Sequence, residues 1–139
     1  MTELFMKILD KSVENAKIPK DFGTGETLYS TEIHTIHHIG EQDAINITQL
    51  SKVMGISKAA ISKFVNKMVA KGYVSKICNQ ENKREVKLFL TEKGRMAYEG
   101  HKVYHEKICD KIDGLFESYN EEEVIIIKRF VKDFEKILD

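Results

Sequence analysis

Between Ala44 and Gln80 the chain carries no aspartate and no glutamate, although 22 of its 139 residues are acidic. Tryptophan is absent and Pro19 is the single proline, a composition that suits a helix-rich chain. The two cysteines, Cys78 and Cys109, are far apart and unpatterned, which excludes a disulfide framework and reads as free thiols in a reducing cytoplasm. No apolar run approaches the roughly 18 residues that a membrane-spanning helix needs. The N-terminal MTELFMKILDK is amphipathic and lacks a signal-peptide cleavage pattern.

What remains is a chain 42% apolar and 32% charged, of a length that predicts one compact domain with extensions. Its 22 basic and 22 acidic side chains cancel, but unevenly. Residues 1–43 carry a net −4, residues 44–109 a net +8 and residues 110–139 a net −4. The acid-free stretch itself holds six lysines. Such a segment shapes a local field that a neutral total conceals. A basic middle between acidic ends predicts a nucleic-acid module flanked by segments with another task.

Apolar spacing of three and four predicts a first helix from Thr2 to about Ala16, carrying Phe5, Ile8 and Leu9. Pro19 and Gly23-Thr24-Gly25 break it. A second helix is expected from Ser30 or Thr31 to about Ile39, with Gly40 as its C-cap. After a short extended piece at Ile45–Ile47, a third helix spans Thr48 to Met54 with Leu50 and Val53 inward. Gly55-Ile56-Ser57 is a turn, and Ser57 caps a fourth helix running to about Lys71, where Gly72 closes it. Ile61, Phe64, Val65 and Met68 form that helix's buried stripe. Tyr73–Ile77 and Glu85–Leu90 are predicted strands of a hairpin with a polar tip. A long helix follows Thr91, weakened at Gly94, Gly100 and Gly114, which leaves room for a bend. Asn120 caps a last helix whose Glu121, Glu122 and Glu123 face the positive end of its dipole. Its stripe is Ile127, Phe130, Val131, Phe134, Ile137 and Leu138.

The fourth helix divides its faces. Opposite the apolar stripe stand Lys58, Ala59, Ser62, Lys63 and Asn66, with Ser57 at the start and Lys67 alongside. Small residues allow close approach to a major groove about 12 Å wide. Ser62 and Asn66 can donate to and accept from base edges, and Lys58, Lys63 and Lys67 can neutralise phosphates or reach guanine. At the hairpin tip, Asn82, Lys83 and Arg84 are placed to enter a minor groove. Double-stranded DNA is the expected partner, and no residue set here is catalytic. A winged helix that binds only proteins is the alternative reading.

These residues resemble the MarR (multiple-antibiotic-resistance-regulator) family of winged-helix repressors. ITQLSKVMGISKAAISKFVNKMVAKGYV is similar to its helix-turn-helix and NKREVKLFLTEKG to its wing, and the resemblance covers about residues 28–112. By it the wing arginine falls on Arg84, while the family's usual wing aspartate is Asn82 here. The fold expected is mainly α with a small β-hairpin wing: a winged helix-turn-helix DNA-binding region over residues 30–98, and helical dimerisation regions over 1–20 and 99–139. Val124-Ile125-Ile126-Ile127 is apolar all round, as a helix buried on two sides would be. The protein is then expected to pair with itself as a homodimer and bind a palindromic operator.

His101 and His105 lie four apart on one helix face, a metal fork if His34 supplies a third ligand. Zinc-responsive members of the family resemble this arrangement. Their acidic ligand has no clear counterpart, with Glu26 and Glu32 as candidates. EIHTIHHIG and HKVYHEKI also resemble the fatty-acid-synthesis repressors, which respond to acyl chains on carrier protein. Three effector classes therefore stay open: a metal, with zinc as the cofactor, an acyl carrier, or another small molecule. A metal-dependent enzyme built on the same histidines would need a general base, and no acid stands in a matching motif. The expectation is a cytoplasmic repressor, released or recruited by its effector, that neither crosses a membrane nor catalyses a reaction.

Overall fold

The computed structural model describes residues 1–42, 44–82 and 85–138, with Leu138 described through its backbone alone. Along the chain these form α1 (Thr2–Lys17), β1 (Lys20–Asp21), β2 (Thr27–Leu28), α2 (Ser30–Glu41), β3 (Ile45–Asn46) and α3 (Ile47–Met54). There follow α4 (Lys58–Ala70), β4 (Val74–Cys78), β5 (Val86–Leu90), α5 (Glu92–Phe116) and α6 (Glu121–Leu138). They divide into two units, Met1–Lys102 and Val103–Asp139. None of the described helices is long and apolar enough to cross a membrane.

In the first unit, the wing is an antiparallel pair of β4 and β5, in register from Val74↔Leu90 to Cys78↔Val86. The short β3 completes a three-stranded sheet in the order β3-β5-β4. Leu88 on β5, Leu50 on α3, Ile36 on α2 and Ile61, Val65 and Met68 on α4 are fully buried together. Burying each such side chain contributes about 1.5–3 kcal/mol before the entropy of ordering is charged against it.

Local chemistry sets the helix starts. The Asn46 side chain accepts the Gln49 amide at 2.8 Å, and the Gln49 side chain accepts the Asn46 amide at 3.0 Å. This capping box starts α3 at Ile47, one residue earlier than predicted. Gly55, at φ 64, takes the left-handed conformation that ends α3 and turns the chain toward α4. A second box starts α6: Asn120 accepts the Glu123 amide at 3.0 Å, and Glu123 accepts that of Asn120 at 2.9 Å.

Three expectations, at Val53, Phe64 and Gly40, are corrected. Val53 points outward, because the buried stripe of α3 uses Ile47, Leu50 and Met54 at spacings of three and four. Phe64 is half-buried rather than in the core. Gly40 does not cap α2, which continues to Glu41; a Cβ there would lie 2.5 Å from the Tyr98 ring, so the glycine makes room for a neighbour. α5 is one unbroken helix, and Gly94 and Gly100 admit backbone: a Cβ would stand 2.0 Å from the Tyr73 carbonyl oxygen and 1.8 Å from that of Phe22, respectively. The hairpin β1–β2, pairing Lys20 with Leu28, escaped the sequence reading because each strand is only two residues long.

In the second unit, α6 shows two apolar stripes. Val124, Ile127 and Phe134 are half-buried, and a cleft lies among Phe116, Val124, Ile127 and Val131. Ile126, Phe130 and Ile137, spaced four and seven apart, form an exposed stripe beside it, with the Phe130 ring stacked on that of Phe134 at 6.2 Å. The predicted single stripe is thereby corrected: Phe130, Val131 and Ile137 are exposed within one chain. α1 likewise buries no side chain, leaving Leu4, Met6, Ile8 and Val13 exposed.

Candidate nucleic-acid interface

Ser57 opens α4 by accepting the Ala60 amide on its hydroxyl at 3.3 Å. With Ile61, Val65 and Met68 locked in the core, the rotation of α4 about its axis is fixed. Lys58, Ala59, Lys63, Asn66 and Lys67 are consequently exposed on the other side, and Ser62 is half-buried between them. Among the described residues Lys58 and Lys63 hold no ion pair.

Lys67 is different. Its ammonium lies 2.6 Å from a carboxylate oxygen of Glu32, which also takes Lys71 at 3.2 Å. The other oxygen of Glu32 accepts the Tyr29 amide at 2.9 Å, at the start of α2. Burial pushes the Glu32 carboxyl up, but Lys67, the Tyr29 amide and Lys71 outweigh it and hold the group below its ordinary value. The same pairing raises Lys67. The acid-free α4 thus borrows its one carboxylate from α2, a relation between distant residues that no local pattern signals.

On the wing side, Lys76 of β4 donates to the side-chain oxygen of Asn66. Asn82 closes the hairpin by accepting the Glu85 amide on its backbone carbonyl at 2.9 Å, and is exposed. Lys83 and Arg84 lie outside the described residues. A cleft of about 320 Å³ separates the start of α3 from the wing base, lined by Asn46, Ile47, Thr48, Asn82, Glu85 and Val86.

His34, His37 and His101 cluster where α2 meets α5. The ring centroids of His34 and His101 are 5.5 Å apart, and those of His37 and His101 are 5.1 Å apart. His101 is buried and meets Phe22 edge-on, whereas His34 is exposed. His34 and His101 can each offer a ring nitrogen within 4.8 Å of the other's, and His105 follows one turn along α5. Burial and the neighbouring His37 lower His38, against an opposing pull from Glu41. Glu41 accepts the Tyr98 hydroxyl, which lowers Glu41 and raises Tyr98.

Neither carboxylate considered as a metal ligand joins this group. Glu32 is held by Lys67 and Lys71, and Glu26 accepts Lys93 at 2.8 Å and the Tyr73 hydroxyl at 3.2 Å. The donors that fit a metal are therefore imidazoles, which suit zinc.

A sequence model of the MarR family matches residues 28–86, spanning α2 to the first residue of β5. The HTH-type transcriptional regulator YhjH of Bacillus subtilis is 31% identical over 122 residues, 88% of this chain and 70% of that protein. Among solved structures, Streptococcus pneumoniae FabT in complex with DNA superposes with a TM-score of 0.76 at 24% identity, covering 99% of this chain and 94% of that one. The zinc-responsive family member ZitR of Lactococcus lactis superposes at 0.83 with 21% identity, covering 99% and 96%. The chain belongs to the MarR family of winged helix-turn-helix transcriptional regulators.

Proposed function

We propose that this protein is a sequence-specific double-stranded DNA-binding regulator that represses transcription by occupying its operator. α4 enters the major groove with Lys58, Ala59, Ser62, Lys63 and Asn66, and the β4–β5 wing, carrying Asn82, Lys83 and Arg84, reaches the adjacent minor groove. The observation that carries this reading is the exposed, carboxylate-free face of α4, rigidly oriented by Ile61, Val65 and Met68. FabT, a relative of the same fold, is known in complex with DNA. Binding should weaken linearly in log salt, by about 0.9 per phosphate contacted. Replacing Lys58 and Lys63 by alanine should flatten that slope by about 1 for each lysine on a phosphate. An unchanged slope would place the DNA contacts elsewhere.

The protein acts as a homodimer on a palindromic site, each chain reading one half. The exposed apolar stripes of α1 and α6 support this, since such surface on helices is ordinarily covered. An effector that binds one spacing of the paired recognition helices better than another shifts the population toward it.

For the effector, His34, His101 and His105 are candidate metal ligands, and zinc, to which a relative of the same fold responds, stands as a candidate beside an acyl carrier or another small molecule. These residues would hold the ion through imidazole nitrogens, and three protein ligands would leave a fourth zinc position open. Tag-free protein dialysed against zinc should retain about one ion per chain, and His101→Ala should abolish retention. Metal-free wild-type protein after that treatment would reject the site and leave an acyl carrier or another small molecule as the effector class.

A further inference from the structure

Lys76 is the cation on the wing strand that faces the recognition helix. It lies on β4, and its ammonium donates to the side-chain oxygen of Asn66, nine residues into α4 from Ser57. An ammonium has three donors and no acceptor, so the Asn66 atom facing it is the carbonyl oxygen. The amide nitrogen is left to point away. Asn66 shares its face with Ala59 and Ser62, at spacings of seven and four, so it stands on the side that enters the groove.

This arrangement changes what Asn66 can read. A free asparagine pairs bidentately with adenine, accepting from its amino group and donating to N7. Here one of the two lone pairs of the acceptor is taken by Lys76, and the positive charge beside it repels the positively polarised adenine amino group. What the pair presents is dominated by donors: the Asn66 amide hydrogens and the remaining ammonium hydrogens of Lys76, whose charge disfavours a second donor at the Asn66 oxygen. Guanine offers two acceptors, O6 and N7, on its major-groove edge. We infer that Lys76 is a positioning residue that converts Asn66 from an adenine reader into a guanine reader. The inference rests on the DNA-binding reading above and deepens it by naming a base.

Selection from a randomised duplex library tests it, using the full chain and its variants. The position read by Asn66 is the one whose base preference disappears in Asn66→Ala. Wild type should select guanine there. Lys76→Met, which removes the donor, should shift that position toward adenine by roughly fivefold in relative enrichment. Lys76→Arg, again donors only, should keep guanine. Loss of a phosphate contact alone would weaken binding evenly without moving one position's preference. Both side chains are exposed, so the variants should retain the wild-type circular dichroism spectrum. An unchanged preference in Lys76→Met, adenine in wild type, or no position affected by Asn66→Ala would each overturn the inference while leaving DNA binding intact. Failure of wild type to enrich any sequence would overturn both.

Discussion

Glu32 of α2 and Lys67 of α4 meet at 2.6 Å, with the carboxylate side chain only 2% exposed and the lysine 51% exposed. The acid is thus a buried post and the lysine a strut that reaches it from the surface. Because Glu32 also binds Lys71 and the Tyr29 amide, one carboxylate ties the start of α2 to the second half of the recognition helix.

Replacing Glu32 by glutamine should therefore destabilise the protein by about 1.5–3 kcal/mol, the range for hydrogen bonds to charged groups. Solvent screening at the half-exposed Lys67 places the value toward the lower end. The carboxyl is held below its ordinary value in the folded chain, so its stabilisation is complete above that value and is lost as pH falls through the lowered one. Thermal melts should separate wild type from Glu32→Gln at pH 7, with the gap closing as pH falls below the ordinary carboxylate range. A constant gap across that range would remove the charge of Glu32 from the account.

Gly100→Ala should lower the urea midpoint without changing the slope of unfolding against denaturant. The added Cβ would sit 1.8 Å from the Phe22 carbonyl oxygen, and backbone cannot rotate aside as a side chain can. A loss of about 1–3 kcal/mol or more is expected for such overpacking. Wild-type stability in this variant would mean that the loop carrying Phe22 moves away at little cost.

Wild-type protein should sediment at twice its chain mass. Ile126→Asp should shift it to a single chain with helix content preserved, because Ile126 leads the exposed stripe of α6 and contributes nothing to the core of one chain. A variant that stays dimeric would move the self-association surface to another face.

The helix-turn-helix was legible because its signals are local. Ser57 as a cap, the glycine turn at Gly55 and the apolar spacing of Ile61, Val65 and Met68 each act within a few residues. The alternation of Val86, Leu88 and Leu90 likewise marked β5. Local pattern misleads where a residue's role depends on what packs against it. Val53 follows Leu50 at helical spacing yet faces solvent, because none of the described residues covers that side of α3. Gly40 has the chemistry of a cap, but Tyr98 occupies the space its side chain would need. Glycines spaced along α5 looked like weak points, and two of them are where other backbone crosses closely.

The site divides in the same way. The acid-free basic helix, its two faces and the helix order follow from the order of residues, since charge composition and periodicity are properties of neighbours along the chain. Folding alone sets which lysines are committed: Lys67 to Glu32, 35 residues earlier, and Lys76 to Asn66 across from the wing. It also decided that Glu26 and Glu32 stand with lysines rather than with the histidines. An ion pair or a hydrogen bond forms wherever folding brings a donor to an acceptor, and that distance is written in no local stretch of sequence.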